Sequence, residues 1–403
     1  MAQEMAGNNA KESPRYTLTE VLQTALHQGL AVAAWRLPLQ PEVQLCVSFT
    51  PQTTQEIPTL EPSPAGFLFC PFQADAVHPH IFLKADLSFS SITGELTQSP
   101  DAPDSQAAAF FQALENGVQR QSTNWPFPDS NPNQSDRTEE TFQAAVSLAV
   151  DLIRAEAMEK VVLSRSHSVP LPDSFELTTA FEQMLSVYPN AFVSLTAIPG
   201  IGTWMGASPE VLVSVDKQQV FKTVALAGTQ PASEDGSTAN AIWRQKEIEE
   251  QGMVERYVLS CFKKLRLREY TEVGPRTVIA GNLMHLRTDF KVDLKEVDFP
   301  TLGTDMLRLL HPTSAVCGLP KEPALQFILA NEGYNRSYYS GFLGPVNSAV
   351  GTHLFVNLRC MQLLETEAVL YAGAGITGES SPDKEWQETQ HKLQTMFKIL
   401  AEF

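Results

Sequence analysis

The chain has 403 residues, 43% of them hydrophobic, which is ample for a real core, and a formal net charge of −17. That acidity argues against a nucleic-acid or anionic-membrane binder, because phosphates would be repelled. It also means that an anionic substrate needs local positive charge or a bound cation in its pocket. The length allows two or three ordinary domains or one large sheet-rich domain. The cysteines Cys46, Cys70, Cys261, Cys317 and Cys360 show no C-x-x-C spacing, so neither a disulfide framework nor a thiolate zinc site is indicated.

In chain order, residues 1–13 are polar and are expected to be disordered. The opening MAQEMAGNNAKESPRY has no hydrophobic signal core, and no stretch approaches about 18 uninterrupted apolar residues. A cytoplasmic home is therefore expected. From about 15 to 100, helical and strand-like runs alternate, among them VQLCVSF and GFLFCPF. Residues 100–137, with DAPDSQ and PFPDSNPNQSD, are rich in Pro, Asp, Ser and Asn, and at least the second half is expected to be a long loop or lid.

Apolar positions at helical spacing predict a helix over 139–158. Short strand candidates follow: KVVLSRSHSV, AFVSLTAI, GTWMGAS, EVLVSV and QVFKTVALAG. A long helix is predicted at 240–265, then more strands, a helix near 302–310, and a C-terminal group of strands and one helix. Strands and helices come in blocks, which favours an α+β fold with antiparallel sheets.

Charged residues at apolar positions carry the chemical hints. In KVVLSR, Lys160, Val162 and Ser164 share one strand face, and Val161, Leu163 and Arg165 share the other. Lys160 is either a solvated strand end or, in a closed pocket, a general base. Glu210 follows a Ser-Pro turn at a strand start. In KEIEEQGMVERYVLSCF, Glu250 lies in the middle of a stripe made by Met253, Val254, Tyr257, Val258 and Cys261, whereas Glu249 points away. A carboxylate on a buried stripe must be paired, protonated or metal-bound.

The C-terminal YAGAGITGESSPDKEWQETQHKL reads as a buried strand, a glycine turn at Gly373, Ala374 and Gly375, and a helix with Ser381 as N-cap and Pro382 at its first position. Glu385, Glu388 and Lys392 cluster beside its apolar stripe. A solvated ion pair is one reading of them. The other is a half-buried carboxylate that joins Glu250 in an oxygen-ligand site of the kind Mg²⁺ uses. His78 and His80, in VHPHIF, are expected to flank a strand, not to bind metal.

Taken together, these segments resemble the chorismate-utilising enzymes, relatives of anthranilate synthase component I, and within them the isochorismate synthase branch. The ordered motifs are KVVLSR, GASPEVL, ALAGT, K-x-x-x-E, HL, HPTSAVCGLP, NRSYYSG, LRC, GAGI and EWQET, spread over 140–403. The resemblance implies one large α+β domain over 14–403: two extended antiparallel sheets packed on each other, with helices outside. It implies Lys160 as the base activating water, and Glu210 as the acid protonating a departing hydroxyl. Glu250 and Glu388 are implied as Mg²⁺ ligands, with Glu385 a further ligand, directly or through water. Substrate contacts are implied for Ala227, Gly228 and Thr229 of ALAGT, and for His285, Tyr339, Arg359 and Lys392. Backbone around Gly373, Ala374 and Gly375 is implied to contact the ring carboxylate.

Within the family, Ala227 stands where amine-transferring members usually carry a nucleophilic lysine, and Lys160 favours water as nucleophile. The expected reaction is conversion of chorismate to isochorismate, for menaquinone or siderophore synthesis. Salicylate synthase, which adds pyruvate elimination, is the runner-up. No obligatory protein partner is expected, and the chain is expected to act as a monomer or weak dimer. Three residues depart from the usual pattern: Gln251, Arg287 and Asn357. They are expected to lie close to the pocket and to bear on substrate geometry.

Overall fold

The segment Glu367–Ile376, EAVLYAGAGI, is apolar along most of its length because both faces are covered. Its even positions, Ala368, Leu370, Ala372, Ala374 and Ile376, are packed in clusters that include the outer helices. Its odd positions Val369 and Tyr371 belong to a separate cluster between the sheets. In the computed structural model, which describes residues 15–117, 125–129, 138–231, 237–239, 241–280 and 283–403, this strand belongs to a ten-stranded sheet. Its neighbours are Lys160–Pro170 on one side and Cys360–Leu363 on the other, both antiparallel. The sheet continues through Gly202–Ser208, Phe192–Ile198, Ala31–Arg36 and Val43–Ser48 towards the N-terminal strands.

A second, nine-stranded sheet runs from Thr271–Ala280 through Leu283–Asp293, Val220–Pro231, Val211–Asp216, Gly351–Val356 and Phe342–Val346 to Gly66–Cys70 and beyond. The two sheets meet through aromatic side chains. Phe192 of the first stacks on Phe355 of the second, with centroids 4.1 Å apart and planes at 4°. Such a pair contributes roughly 1 kcal/mol beyond the area it buries. Residues 31–98 supply strands to both sheets, so the N-terminal third shares a core with the motif-bearing part. The predicted α+β fold of two antiparallel sheets in one domain is what the structure contains.

Helices cover the outside. Glu139–Arg154 starts at Thr138, whose hydroxyl accepts from the Thr141 N–H. It stops four residues before the predicted end, as Glu156 takes a left-handed φ of 61°. Gln245–Lys264 begins five residues later than predicted, and Leu302–Leu310 falls where expected. Within 100–137, the first half contains a helix, Asp104–Asn116, because Ala107 and Phe110 give it a buried side despite its polar start. Trp125 anchors the next described residues by donating to the Leu364 carbonyl at 3.3 Å. The expected tail 1–13 and most of the expected loop after 117 lie outside the described residues. Among the described residues no helix is long and apolar enough to cross a membrane.

Candidate active site

Gly375, paired with Val162 in the sheet, makes room for the site. A Cβ there would collide with Glu250 Oε1 and lie 3.1 Å from Lys160 Cε. Its absence lets the helix Gln245–Lys264 bring Glu250 against the first residue of the Lys160–Pro170 strand. Lys160 Nζ lies 2.8 Å from Glu250 Oε1, with the lysine side chain fully buried. A buried ammonium needs such a partner. Burial alone would raise the Glu250 carboxyl, but Lys160, Lys246 and Lys392 pull it below the ordinary carboxylate range.

Glu250 opens onto a pocket between the two sheets and the C-terminal helix Pro382–Leu400. Glu210, Ala227, Gly228, Thr229 and His285 contribute to its wall from the second sheet and its connections. Tyr339, Arg359, Gly373, Gly375, Glu388 and Lys392 complete the polar lining. Three expected residues lie off the wall: Lys160, Ala374 and Glu385. Lys160 meets it through Glu250. Ala374 turns its methyl into the core beside the outer helices, as strand alternation requires between Gly373 and Gly375.

The two carboxyls at the heart of the site have opposite environments. Glu210 is buried, and desolvation raises its pKa to about 7, against the pull of Lys160, Lys392 and Arg359. Glu250 is held ionised by its lysines. A pair of carboxyls driven apart in this way can divide acid and charge-bearing roles. Burial lowers the Arg359 guanidinium to about 10, well above neutrality, so it remains a cation.

His285 is neutral for a visible reason. Burial and the Arg359 charge lower its pKa to about 3. Nδ1 lies 2.7 Å from the Gly228 carbonyl, which can only accept, so Nδ1 carries the proton. Nε2 is buried without a partner and is left as an acceptor.

The C-terminal helix begins at Ser381 with Pro382 in its first turn, as predicted, although the Ser381 hydroxyl makes no capping bond. Lys392 Nζ bonds Glu388 Oε1 at 2.7 Å and the Gly373 carbonyl at 2.8 Å, so this pair is part of the pocket and not a solvated surface bridge. Glu385 is 1% exposed and accepts from Lys246 Nζ at 2.5 Å. Burial raises the Glu385 carboxyl more than Lys246 lowers it, and Glu388 adds to the rise. Lys246 is the lysine of the K-x-x-x-E motif. Its partner is 139 residues away, so its role was not visible in the sequence.

Apolar walls come from Val162, Leu226, Ala315, Val316 and Tyr371, which residue chemistry alone had not singled out. The three departures point elsewhere. Gln251 donates to the Ala225 carbonyl at 3.2 Å, Arg287 pairs with Asp289 at 2.6 Å, and Asn357 donates to the Tyr338 carbonyl at 2.9 Å. None of the three lines the pocket itself, although Glu250, His285 and Leu358, within two residues of them, do.

Glu250 and Glu388 face the same space, and Glu385 Oε2 is buried with no hydrogen bond of normal geometry. Such hard oxygen donors suit Mg²⁺, which usually keeps several waters. Among the described residues no three His, Cys, Asp or Glu side chains converge closely enough to hold an ion alone. Any cation here would need water and ligand oxygens to complete its shell.

A family described as chorismate binding enzyme matches residues 6–401. The vibriobactin-specific isochorismate synthase of Vibrio cholerae is 29% identical over 264 residues, covering 64% of this chain and 66% of that protein. Isochorismate synthase EntC of Escherichia coli (strain K12) is 29% identical over 266 residues, covering 65% and 67%. The aligned stretch thus spans about two thirds of each relative. The solved structure of MenF, the menaquinone-specific isochorismate synthase from Escherichia coli, superposes with a TM-score of 0.73 at 22% identity, covering 94% of this chain and 91% of that one.

Proposed function

Because the chain belongs to the chorismate binding enzyme family, we propose that it is an isomerase that converts chorismate to isochorismate. The observation that carries this reading is Lys160 held behind the pocket wall by Glu250, with Glu210 on that wall. The lysine is fully buried, and the Glu210 carboxyl is raised to about 7.

In this reading Lys160 first sheds to solvent the proton of its resting ion pair with Glu250, and the free amine then takes a proton from water as the water oxygen bonds to C2. The ring double bond shifts, and the C4–oxygen bond breaks. Glu210 gives its proton to the departing hydroxyl, which leaves as water, so atoms and charge balance. General acid–base catalysis of this kind contributes roughly 10²–10⁴-fold per group. Arg359 and Tyr339 orient the enolpyruvyl carboxylate. His285, neutral and with Nε2 free, accepts from a ring hydroxyl.

Glu250 and Glu388, with Glu385, would hold Mg²⁺, which when bound supplies positive charge for the ring carboxylate. Lys392 adds charge beside Gly373, where the backbone approaches the same carboxylate. Ala227 on the pocket wall leaves no amine there for a covalent route, which favours water as nucleophile. The pathway served is menaquinone synthesis in our reading, and the vibriobactin-specific relative favours a siderophore as the second possibility.

Turnover in ¹⁸O-labelled water tests the proposal. Isochorismate carrying one heavy oxygen at C2 is the expected product. Unlabelled isochorismate would contradict addition of solvent water.

A further inference from the structure

Behind the pocket lies a buried ion pair, Glu332–Arg336, at 1% and 3% exposure. Neither residue lines the pocket. Their hydrogen bonds nevertheless end on it. The short strand Gly318–Leu319 pairs with Val161 and Lys160, and one more backbone bond along that edge runs from the Val162 N–H to the Cys317 carbonyl at 2.8 Å. Beyond it, backbone groups of the Lys160–Pro170 strand would be left buried and unpaired, which native structures avoid.

Arg336 and Glu332 supply what a strand would have supplied. Arg336 Nη2 donates to the Val162 carbonyl at 2.7 Å, and Glu332 Oε1 accepts from the Ser164 N–H at 2.7 Å. Arg336 Nη1 also donates to the Val316 carbonyl at 2.7 Å, tying in the neighbouring segment. The two side chains are locked together through Arg336 Nε and Glu332 Oε2 at 2.7 Å, and the guanidinium is 4.4 Å from the centre of the Phe72 ring.

Val162 and Val316 are both pocket wall, and Val162 lies two residues from Lys160 on the same strand face. Ser164 is opposite Gly373, whose carbonyl receives Lys392. The pair is neutral as a unit, so its influence on the pocket is geometric. Only a planar fork reaches two carbonyls and a carboxylate at once.

We propose that Glu332 and Arg336 are positioning residues for the reaction, holding the Lys160 strand edge and the segment around Val316 in register. The inference rests on the chorismate reading above. An ångström-scale misplacement of reacting groups costs on the order of a hundredfold in rate.

The test compares Arg336→Lys, Glu332→Gln and a remote core variant, Leu45→Ala, measuring kcat and KM for chorismate with Mg²⁺ together with Tm. Arg336→Lys is expected to lower kcat at least about tenfold, more than KM rises. Glu332→Gln, the milder change, should move kcat in the same direction and serves if Arg336→Lys does not fold. Leu45→Ala should lower Tm while kcat stays within about twofold. Unchanged kcat in both pair variants, or an equal kcat loss in Leu45→Ala at the same Tm, would overturn the proposal. No turnover by the unmodified protein would remove the chorismate reading and this one together, whereas normal turnover with indifferent variants removes this one alone.

Discussion

Lys160 Nζ and Glu250 Oε1 lie 2.8 Å apart in the interior, and Gly375 is the residue that makes room for them. One contact therefore links the expected base, an expected cation ligand and the glycine turn before the C-terminal helix. The site's electrostatics follow from this arrangement. Lys160, Lys246, Arg359 and Lys392 gather beside the carboxylates Glu250, Glu385 and Glu388, with Glu210 raised to about 7 by burial. A strongly acidic protein thus gains a pocket suited to an anion.

Gly375→Ala tests the contact itself. The added methyl would meet Glu250 Oε1 and Lys160 Cε, so the pair must separate or the strand must shift. Overpacking of this kind typically costs about 1–3 kcal/mol. Turnover should fall at least about tenfold with a lower Tm, measured by steady-state kinetics and thermal unfolding. Wild-type turnover would mean the close approach is not needed.

Lys160→Ala should lower kcat by roughly 10²–10⁴-fold, the usual range for a lost general base. Chorismate affinity, measured by equilibrium titration, should change only a few-fold, because Lys160 is not on the pocket wall. A large loss of affinity with preserved kcat would assign it to binding instead.

The pH profile should report Glu210. Its acid form does the work, and its pKa is raised to about 7 by burial. The protonated fraction is therefore full below that value and falls as pH rises through it. kcat/KM should decline above about pH 7, and Glu210→Gln should remove both the activity and that descending limb. His285, with its pKa lowered to about 3, should contribute no step between pH 5 and 9. A descending limb that survives in Glu210→Gln would assign it to another group.

Glu388→Ala bears on the cation. It removes one pocket carboxylate and frees Lys392 from its 2.7 Å partner. Isothermal titration with Mg²⁺ should show affinity weakened at least about tenfold, and the Mg²⁺ concentration for half-maximal turnover should rise in step. An unchanged Mg²⁺ response would reject the two-glutamate site.

Much of this was legible locally. Strand alternation put Lys160 and Val162 on one face, and helical spacing separated Glu250 from Glu249, which is exposed. What spacing could not reveal came from distant partners. Glu210 owes its raised pKa to burial assembled from several segments, and Lys246 meets Glu385 only because two helix starts converge. The Asp104–Asn116 helix was hidden because its flanks are rich in Pro and Asp while its buried side rests on few residues, Ala107 and Phe110. The departures at Gln251, Arg287 and Asn357 stand next to functional residues in the chain, yet their side chains are taken up by neighbouring backbone or carboxylate groups.

The most direct test is to incubate the purified protein with chorismate and Mg²⁺ and to separate the products by chromatography with mass detection. A product of unchanged mass at the position of isochorismate, lost on adding EDTA, is the predicted result. Salicylate with released pyruvate, or chorismate left unconsumed, would contradict it.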